Sequence, residues 1–216
     1  DIEKVFPIFE TMENLGLPVK DLDSLYHDEL DDPWKIEVIY GKPIYFSKDQ
    51  SFDDCLSIIK EGNVYGDKHG WTTRRHDNYP TTDNMITNKW TSYKVIQEKL
   101  KTVIYPELEK MFKLTPYLLR LQEIFIARYD ANRAGAQNSL EPHVDGSEFS
   151  FIIGLNDNYS GGGTRFIKKN VTVHLNQGDV VIFCGQTRHE GIPVISGTRY
   201  ILPGFIYYGY CLQQYE

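Results

Sequence analysis

The chain is expected to fold as a mainly β domain with flanking helices. Three observations lead there. From about Leu121 onward the sequence breaks into short runs rich in β-branched and aromatic residues; Gly, Asn and Pro punctuate those runs at close intervals; and the stretch before them carries apolar residues at helical spacing. Together they point to a barrel or sandwich of two sheets, with helices packed against one face of the larger sheet.

In chain order, the first strands are expected at residues 35–39 and 44–46. A helix follows over 90–100, where Trp90, Tyr93, Val95, Ile96 and Leu100 suit one face. Pro106 is expected to open a separate helix carrying Leu108, Met111 and Phe112, because proline is at ease in a first helical turn. The β runs are 123–129, 149–155, 164–167, 171–175, 180–184, 192–195 and 198–206. Pro203 lies inside the last run and cannot donate to a ladder, which predicts an edge position or a bulge just after it. Residues 130–139, polar and rich in Ala, Asn and Gly, are the best candidate for a mobile loop.

With 216 residues, 41% hydrophobic and 13% aromatic, the chain can bury a sizeable core, so one domain is expected over 1–216. It divides into a helix-rich part to about residue 120 and a β core over about 121–210. It begins at Asp1 without Met, signal peptide or long apolar run, and is read as a piece of a longer protein with no membrane span. Residues 1–32 hold ten acidic residues against Lys4 and Lys20, a net of −8 beside −7 for the whole chain, so residues 33–216 sum to +1. That acidity is best read as a solvated face, and it argues against nucleic acid or an anionic membrane as partner. Cys55, Cys184 and Cys211 do not make a disulfide framework; Cys184 sits in an apolar run as a small hydrophobe. Asn158-Tyr-Ser160 and Asn170-Val-Thr172 are glycosylation sequons, which matter only in a secretory compartment.

The chemistry concentrates in His143, Asp145, His189 and Arg199. Alternate residues of an extended strand share a face, so His143 and Asp145 can grip one ion, with His189 arriving from another strand. Two imidazoles and one carboxylate form the non-haem Fe(II) arrangement, which leaves coordination positions open. Arg199 offers a planar fork of donors suited to the far carboxylate of a dicarboxylic acid. Alone, H-x-D is a weak signal. Zinc in a hydrolase would accept the same three ligands, and a non-catalytic partner-binding β domain also remains open.

The ordered motifs carry more weight than the triplet. Tyr79-Pro-Thr-Thr-Asp83, Ala127-Arg-Tyr129, Pro142-His-Val-Asp145, Gly161-Gly-Gly-Thr-Arg-Phe166, His189-Glu-Gly191 and Gly197-Thr-Arg-Tyr-Ile201 follow one another at compatible spacing. In these the chain resembles the Fe(II)- and 2-oxoglutarate-dependent protein hydroxylases of the prolyl 4-hydroxylase-like superfamily, and most of all the procollagen lysyl hydroxylase catalytic domain. The resemblance implies a double-stranded β-helix, or jelly-roll, core. It implies Fe(II) on His143, Asp145 and His189, with 2-oxoglutarate chelating the metal and pairing with Arg199. It also implies O2 as oxidant, ascorbate as reductant, and hydroxylation of peptidyl lysine in collagen-like sequences with release of succinate and CO2. Tyr129 and Asn156 are candidate partners of a 2-oxoglutarate carboxylate. A homodimer is what the resemblance leads one to expect, as is the endoplasmic reticulum lumen for a eukaryotic secretory enzyme and the cytoplasm otherwise.

Within this class, prolyl 4-hydroxylation or oxidation of a small molecule competes with the lysyl reading; related prolyl enzymes generally anchor the co-substrate with Lys rather than Arg. The sequence continues past Arg199 through an aromatic tail, 207–216, able to cover a site or a partner surface. Asp83 is read as a turn or helix cap ahead of a substrate contact. The glycines 161–163 are read as a tight turn or a close approach for substrate. His27, His69, His76 and His174 are given surface or structural roles.

Overall fold

The computed structural model describes residues 54–209, apart from 77, 113, 115–117 and 169. The strands expected at 35–39 and 44–46, the acidic segment 1–32 and the end of the aromatic tail lie outside the described residues.

Among the described residues one helix comes first, then a short strand, then a longer helical rod. Helix α1 (Cys55–His69) buries Cys55, Ile58, Gly62 and Gly66 along one stripe and ends at Gly70, whose φ of 86° is open to glycine. A Cβ on Gly62 would lie 2.7 Å from the Ile126 side chain, so glycine lets α1 approach the sheet. Helix α2 (Tyr93–Lys99) passes through a π-helical turn (Leu100–Ile104) into α3 (Tyr105–Phe112). The break expected before Pro106 is therefore absent. The wider turn ahead of the proline holds the rod together where an ordinary helix would lose a hydrogen bond.

That turn also sets the packing. Ile96, Leu100, Ile104, Leu108 and Phe112 are all buried at intervals of four residues. In a plain α-helix a four-residue repeat drifts about 40° per step, and the π turn takes part of that drift back. The stripe therefore stays on Phe149, Phe151, Ile153, Leu202 and Ile206 of the sheet below. The start of α2 is closed from another element: Glu61 of α1 accepts the backbone N–H groups of Thr91 (2.6 Å) and Ser92 (2.9 Å).

The described residues hold eleven strands on the jelly-roll plan, the first of them between α1 and α2: β1 (Asp83–Met85), β2 (Leu119–Asp130), β3 (Leu140–His143), β4 (Phe149–Gly154), β5 (Ser160–Gly161), β6 (Thr164–Phe166), β7 (Val171–Val173), β8 (Val180–Cys184), β9 (His189–Gly191), β10 (Val194–Ser196) and β11 (Thr198–Tyr208). The major sheet runs β1-β2-β11-β4-β8, the minor one β3-β9-β6-β7, and β5 pairs with β10. All the pairings are antiparallel. The major sheet is covered on both sides: helices on one face, the minor sheet on the other through Phe125, Ala127, Ile152, Phe166, Val173, Val181 and Ile201. Double coverage explains why all six residues of β4 are buried.

Two expectations change. Pro203 lies in a central strand, paired with Ile152 of β4, while the ladder to β2 is interrupted at Leu202 and Pro203 without a change of register, from Ile201↔Ala127 to Gly204↔Ile124. The missing donor is tolerated because it falls in that interruption, and the expected irregularity follows between Phe205 and Ile206. Of the run expected at 192–195, only Val194 and Ile195 are strand, in β10, while Ile192 and Pro193 link β10 to β9.

Candidate active site

His143 ends β3 and His189 opens β9, and the two are a cross-strand pair with ring centroids 4.3 Å apart. Asp145 lies two residues beyond the strand rather than on it, and its N–H donates to the Gly185 carbonyl (2.8 Å). The turn thus supplies the third corner that strand alternation was expected to give. Ligand atoms of the three residues all fall within 4.8 Å of one another, and all three residues are buried. Nε2 of His143 stands 3.5 Å from Asp145 Oδ1, and Nε2 of His189 stands 3.9 Å from Oδ2.

These residues fit a divalent metal. Each histidine sets Nδ1 2.8 Å from a backbone carbonyl, of Glu141 and of Thr187, which fixes the proton there and leaves the Nε2 lone pairs facing inward. Ser150 donates to Asp145 Oδ2 at 2.6 Å. Burial lowers the His189 imidazole below its ordinary range, against the pull of Asp145. Burial alone would raise Asp145, but the His143 hydrogen bond, the His189 charge and the Ser150 hydroxyl together hold it low. A neutral His189 beside an ionised Asp145 suits a metal, which binds deprotonated ligands.

Arg199 is 1% exposed on β11. Its Nη1 donates to the Gly163 carbonyl (3.2 Å) and its Nη2 to Thr164 Oγ1 (3.3 Å), while Nε has no partner among the described residues. No carboxylate among those residues lies within ion-pair distance of it. The glycines 161–163, with φ of 74°, 67° and 113°, form the tight turn that wraps this guanidinium; a Cβ on Gly162 would lie 3.1 Å from Arg199 Cδ. Tyr129 is the cross-strand partner of Arg199, its ring 5.7 Å from the guanidinium carbon. Burial pushes its phenol up to about 12, with Arg199 pulling the other way.

One pocket holds His143, Asp145, His189, Arg199 and Tyr129, closed by Leu140, Ile152, Thr164 and Ile201. Asn156 is not in its lining. Its side chain accepts from Tyr200 N (2.7 Å) and donates to the Thr198 carbonyl (2.8 Å) and Asn158 (2.6 Å), tying the end of β4 to β11.

The pocket also contains His76, given a surface or structural role by sequence, together with Tyr79, Phe125 and Phe205. Tyr79 stacks on His143 at 5.2 Å. Asp83 caps nothing; it is fully buried in β1, bonded to Thr81 Oγ1 and 2.9 Å from Arg75 Nε. Burial raises its carboxyl against the pull of Thr81 and Arg75. Residues 130–139 are not loose either: Gln137 accepts from Thr82 N (2.6 Å) and donates to the carbonyls of Pro80 and Ser139 (both 2.9 Å).

No family model matches the chain. Procollagen-lysine,2-oxoglutarate 5-dioxygenase 1 of Mus musculus is 31% identical over 167 residues, 70% of this chain and 22% of that protein. The multifunctional procollagen lysine hydroxylase and glycosyltransferase LH3 of Homo sapiens is 28% identical over 226 aligned positions, 95% of this chain and 29% of that protein. The chain thus spans less than a third of the length of these relatives. Among solved structures, a Pseudomonas putida prolyl-4-hydroxylase superposes with TM-score 0.59 at 15% identity, covering 81% of this chain and 98% of that one. The collagen prolyl hydroxylase of Paramecium bursaria Chlorella virus-1 gives 0.57 at 18% identity, over 78% and 98%. The chain has the fold of the Fe(II)- and 2-oxoglutarate-dependent oxygenases, the class to which these solved prolyl hydroxylase structures belong. Inside that class, the relatives that its sequence matches are the procollagen lysyl hydroxylases.

Proposed function

We propose that the chain is a 2-oxoglutarate-dependent dioxygenase domain that hydroxylates peptidyl lysine in collagen-like sequences and releases succinate and CO2. The observation that carries the co-substrate is Arg199: a buried guanidinium without a carboxylate beside a His-Asp-His group. A buried charge is costly unless paired, so the pocket calls for an anionic ligand. A zinc hydrolase would leave that charge unexplained. The lysyl substrate is supported by the sequence relatives named above.

In this reading His143, Asp145 and His189 hold Fe(II), which when bound supplies O2 activation coupled to oxidation of the 2-oxo acid. Arg199 pairs with the distal carboxylate and Tyr129 offers its hydroxyl; a phenol kept protonated is a donor at every physiological pH. Asn156 serves that carboxylate indirectly, by holding the strand that carries Arg199. Leu140, Ile152 and Ile201 exclude water and strengthen the pairing. Ascorbate is the proposed reductant, a homodimer the proposed assembly, and the endoplasmic reticulum lumen the compartment in a eukaryotic secretory host.

The test is succinate formation from 2-oxoglutarate with Fe(II) and ascorbate, using collagen-like peptides with Lys-Gly, with Pro-Gly, or with neither. Oxygen located on lysine by mass spectrometry is the expected result. Oxygen on proline would move the chain to the prolyl branch, and no succinate under any condition would reject the oxygenase reading.

A further inference from the structure

Of the three candidate ligands, Asp145 alone belongs to no strand, and neighbouring elements brace its turn. Its N–H donates to the Gly185 carbonyl (2.8 Å), and its own carbonyl accepts from Gln186 Nε2 (3.2 Å), both in the turn between β8 and β9. Gly185 N donates in return to the Glu148 carbonyl (2.9 Å). From β11 the Tyr207 hydroxyl donates to the Gly146 carbonyl (3.2 Å). These bonds fix the backbone of the turn and leave the rotation of the carboxylate to be fixed by something else.

Two hydroxyls do so. Ser150 Oγ donates to Asp145 Oδ2 (2.6 Å), and Ser147 Oγ lies 2.9 Å from Ser150 Oγ. A hydroxyl has one proton, and that of Ser150 goes to the carboxylate, so Ser147 is the donor to Ser150. The relay runs from Ser147 through Ser150 to Asp145, each bond polarising the next. Both serines are buried. Ser150 is the only polar side chain of β4 and stands between Phe183 of β8 and Phe205 of β11, where packing alone would favour an apolar residue. Gly185 gives the relay its room, since a Cβ there would overlap the Ser147 carbonyl and lie 2.5 Å from Ser147 Oγ. With Oδ2 engaged in this way, Oδ1 is left 3.5 Å from Nε2 of His143. A carboxylate can meet a cation through one oxygen or through both, and one that uses both takes a position that a chelating co-substrate needs.

We propose that Ser150, backed by Ser147, is a positioning residue of the metal site, holding Asp145 so that its carboxylate meets the metal through Oδ1 alone and leaves room for 2-oxoglutarate. The relay acts through Asp145 and touches neither metal nor substrate. It rests on the oxygenase reading above, and the experiment separates the two.

Mn(II) and then, at saturating Mn(II), 2-oxoglutarate are titrated calorimetrically into the unaltered protein, Asp145→Ala, Ser147→Ala and two Ser150 variants of one shape, Ser150→Thr and Ser150→Val. Threonine keeps the hydroxyl and valine lacks it, so the cost of the added bulk is common to both, and a purely structural role would give them the same affinities. Ser150→Thr is expected to bind Mn(II) within about threefold of the unaltered protein and Ser150→Val about 10–100-fold more weakly. Ser147→Ala is expected to fall between them, since it leaves the Ser150 bond in place without its polarising donor. At saturating Mn(II), Ser150→Val is expected to bind 2-oxoglutarate about fivefold or more weakly than Ser150→Thr. Equal values for the Thr and Val variants in either titration would overturn the proposal and leave the oxygenase reading standing. Should both fail to fold, Ser147→Ala decides, and affinities equal to those of the unaltered protein overturn the relay. An unaltered protein that takes up no Mn(II) or no 2-oxoglutarate, or that binds Mn(II) as tightly after Asp145→Ala, overturns the relay and the oxygenase reading together.

Discussion

At the scale of single residues, two side chains make the strongest demands. Arg199 is held by a carbonyl and a hydroxyl, leaving its charge for a ligand. A lysine there would be a point charge on a flexible stem, without the fork. Arg199→Lys is expected to raise the KM for 2-oxoglutarate at least tenfold, read from succinate kinetics; an unchanged KM would exclude the assigned pairing. Glu148 is different in kind. Burial pushes its carboxyl up to about 7, against backbone hydrogen bonds from Glu148 and Tyr208, and Oε2 has no partner among the described residues. The folded protein therefore keeps a proton that the unfolded chain releases near pH 4.5. Stability from this group is complete below about pH 4.5, declines as pH rises toward 7, and is flat above it. Glu148→Gln is expected to stabilise by about 1–3 kcal/mol at pH 8 and to leave pH 4 unaffected. Equal shifts in Tm at both pH values would refute the assignment.

At the scale of elements, the π turn between α2 and α3 behaves as one residue more than an α-helix needs. Deleting Lys101 would change the buried spacing after Leu100 from four to three, still one face of a straight helix. Thermal melts are expected to move by only a few degrees. Inserting alanine after Lys101 would turn Ile104, Leu108 and Phe112 about 100° away from the sheet. That variant is expected to lose several kcal/mol. The sequence showed the stripe but not the turn, since a π turn leaves no residue signature beside a proline. The strands β2, β4, β6, β7, β8 and β11 were legible because β-branched runs between turn residues are local signals. Helix α1 was not delimited, since Gly62 and Gly66 read as breakers although both serve close packing. His143, Asp145, His189 and Arg199 could be picked out from spacing and residue type. His76 could not, because Asp83, Phe125 and Phe205 reach it from separate strands.

For the whole molecule, the metal-ligand group joins the minor sheet to the turn before β4, while Arg199 belongs to the major sheet. A metal and a dicarboxylate that bridge them would bind only the folded state. Mn(II) with 2-oxoglutarate, each at about a hundred times its Kd, is expected to raise Tm by roughly 5–10 °C. Asp145→Ala is expected to remove the joint effect. A shift that survives that substitution would place the metal elsewhere.

The side chain of Gln137 bridges two stretches of chain some fifty-five residues apart, gripping Thr82 and Pro80 from the segment that leads into β3. One of those stretches carries His76 and Tyr79, and the other delivers His143. The segment before β1 and the strand that ends at His143 are thus stitched together like two leaves of one hinge pinned shut. Neither can drift without dragging the other, so loss of order in the segment that carries Tyr79 is also loss of order at the His143 ligand.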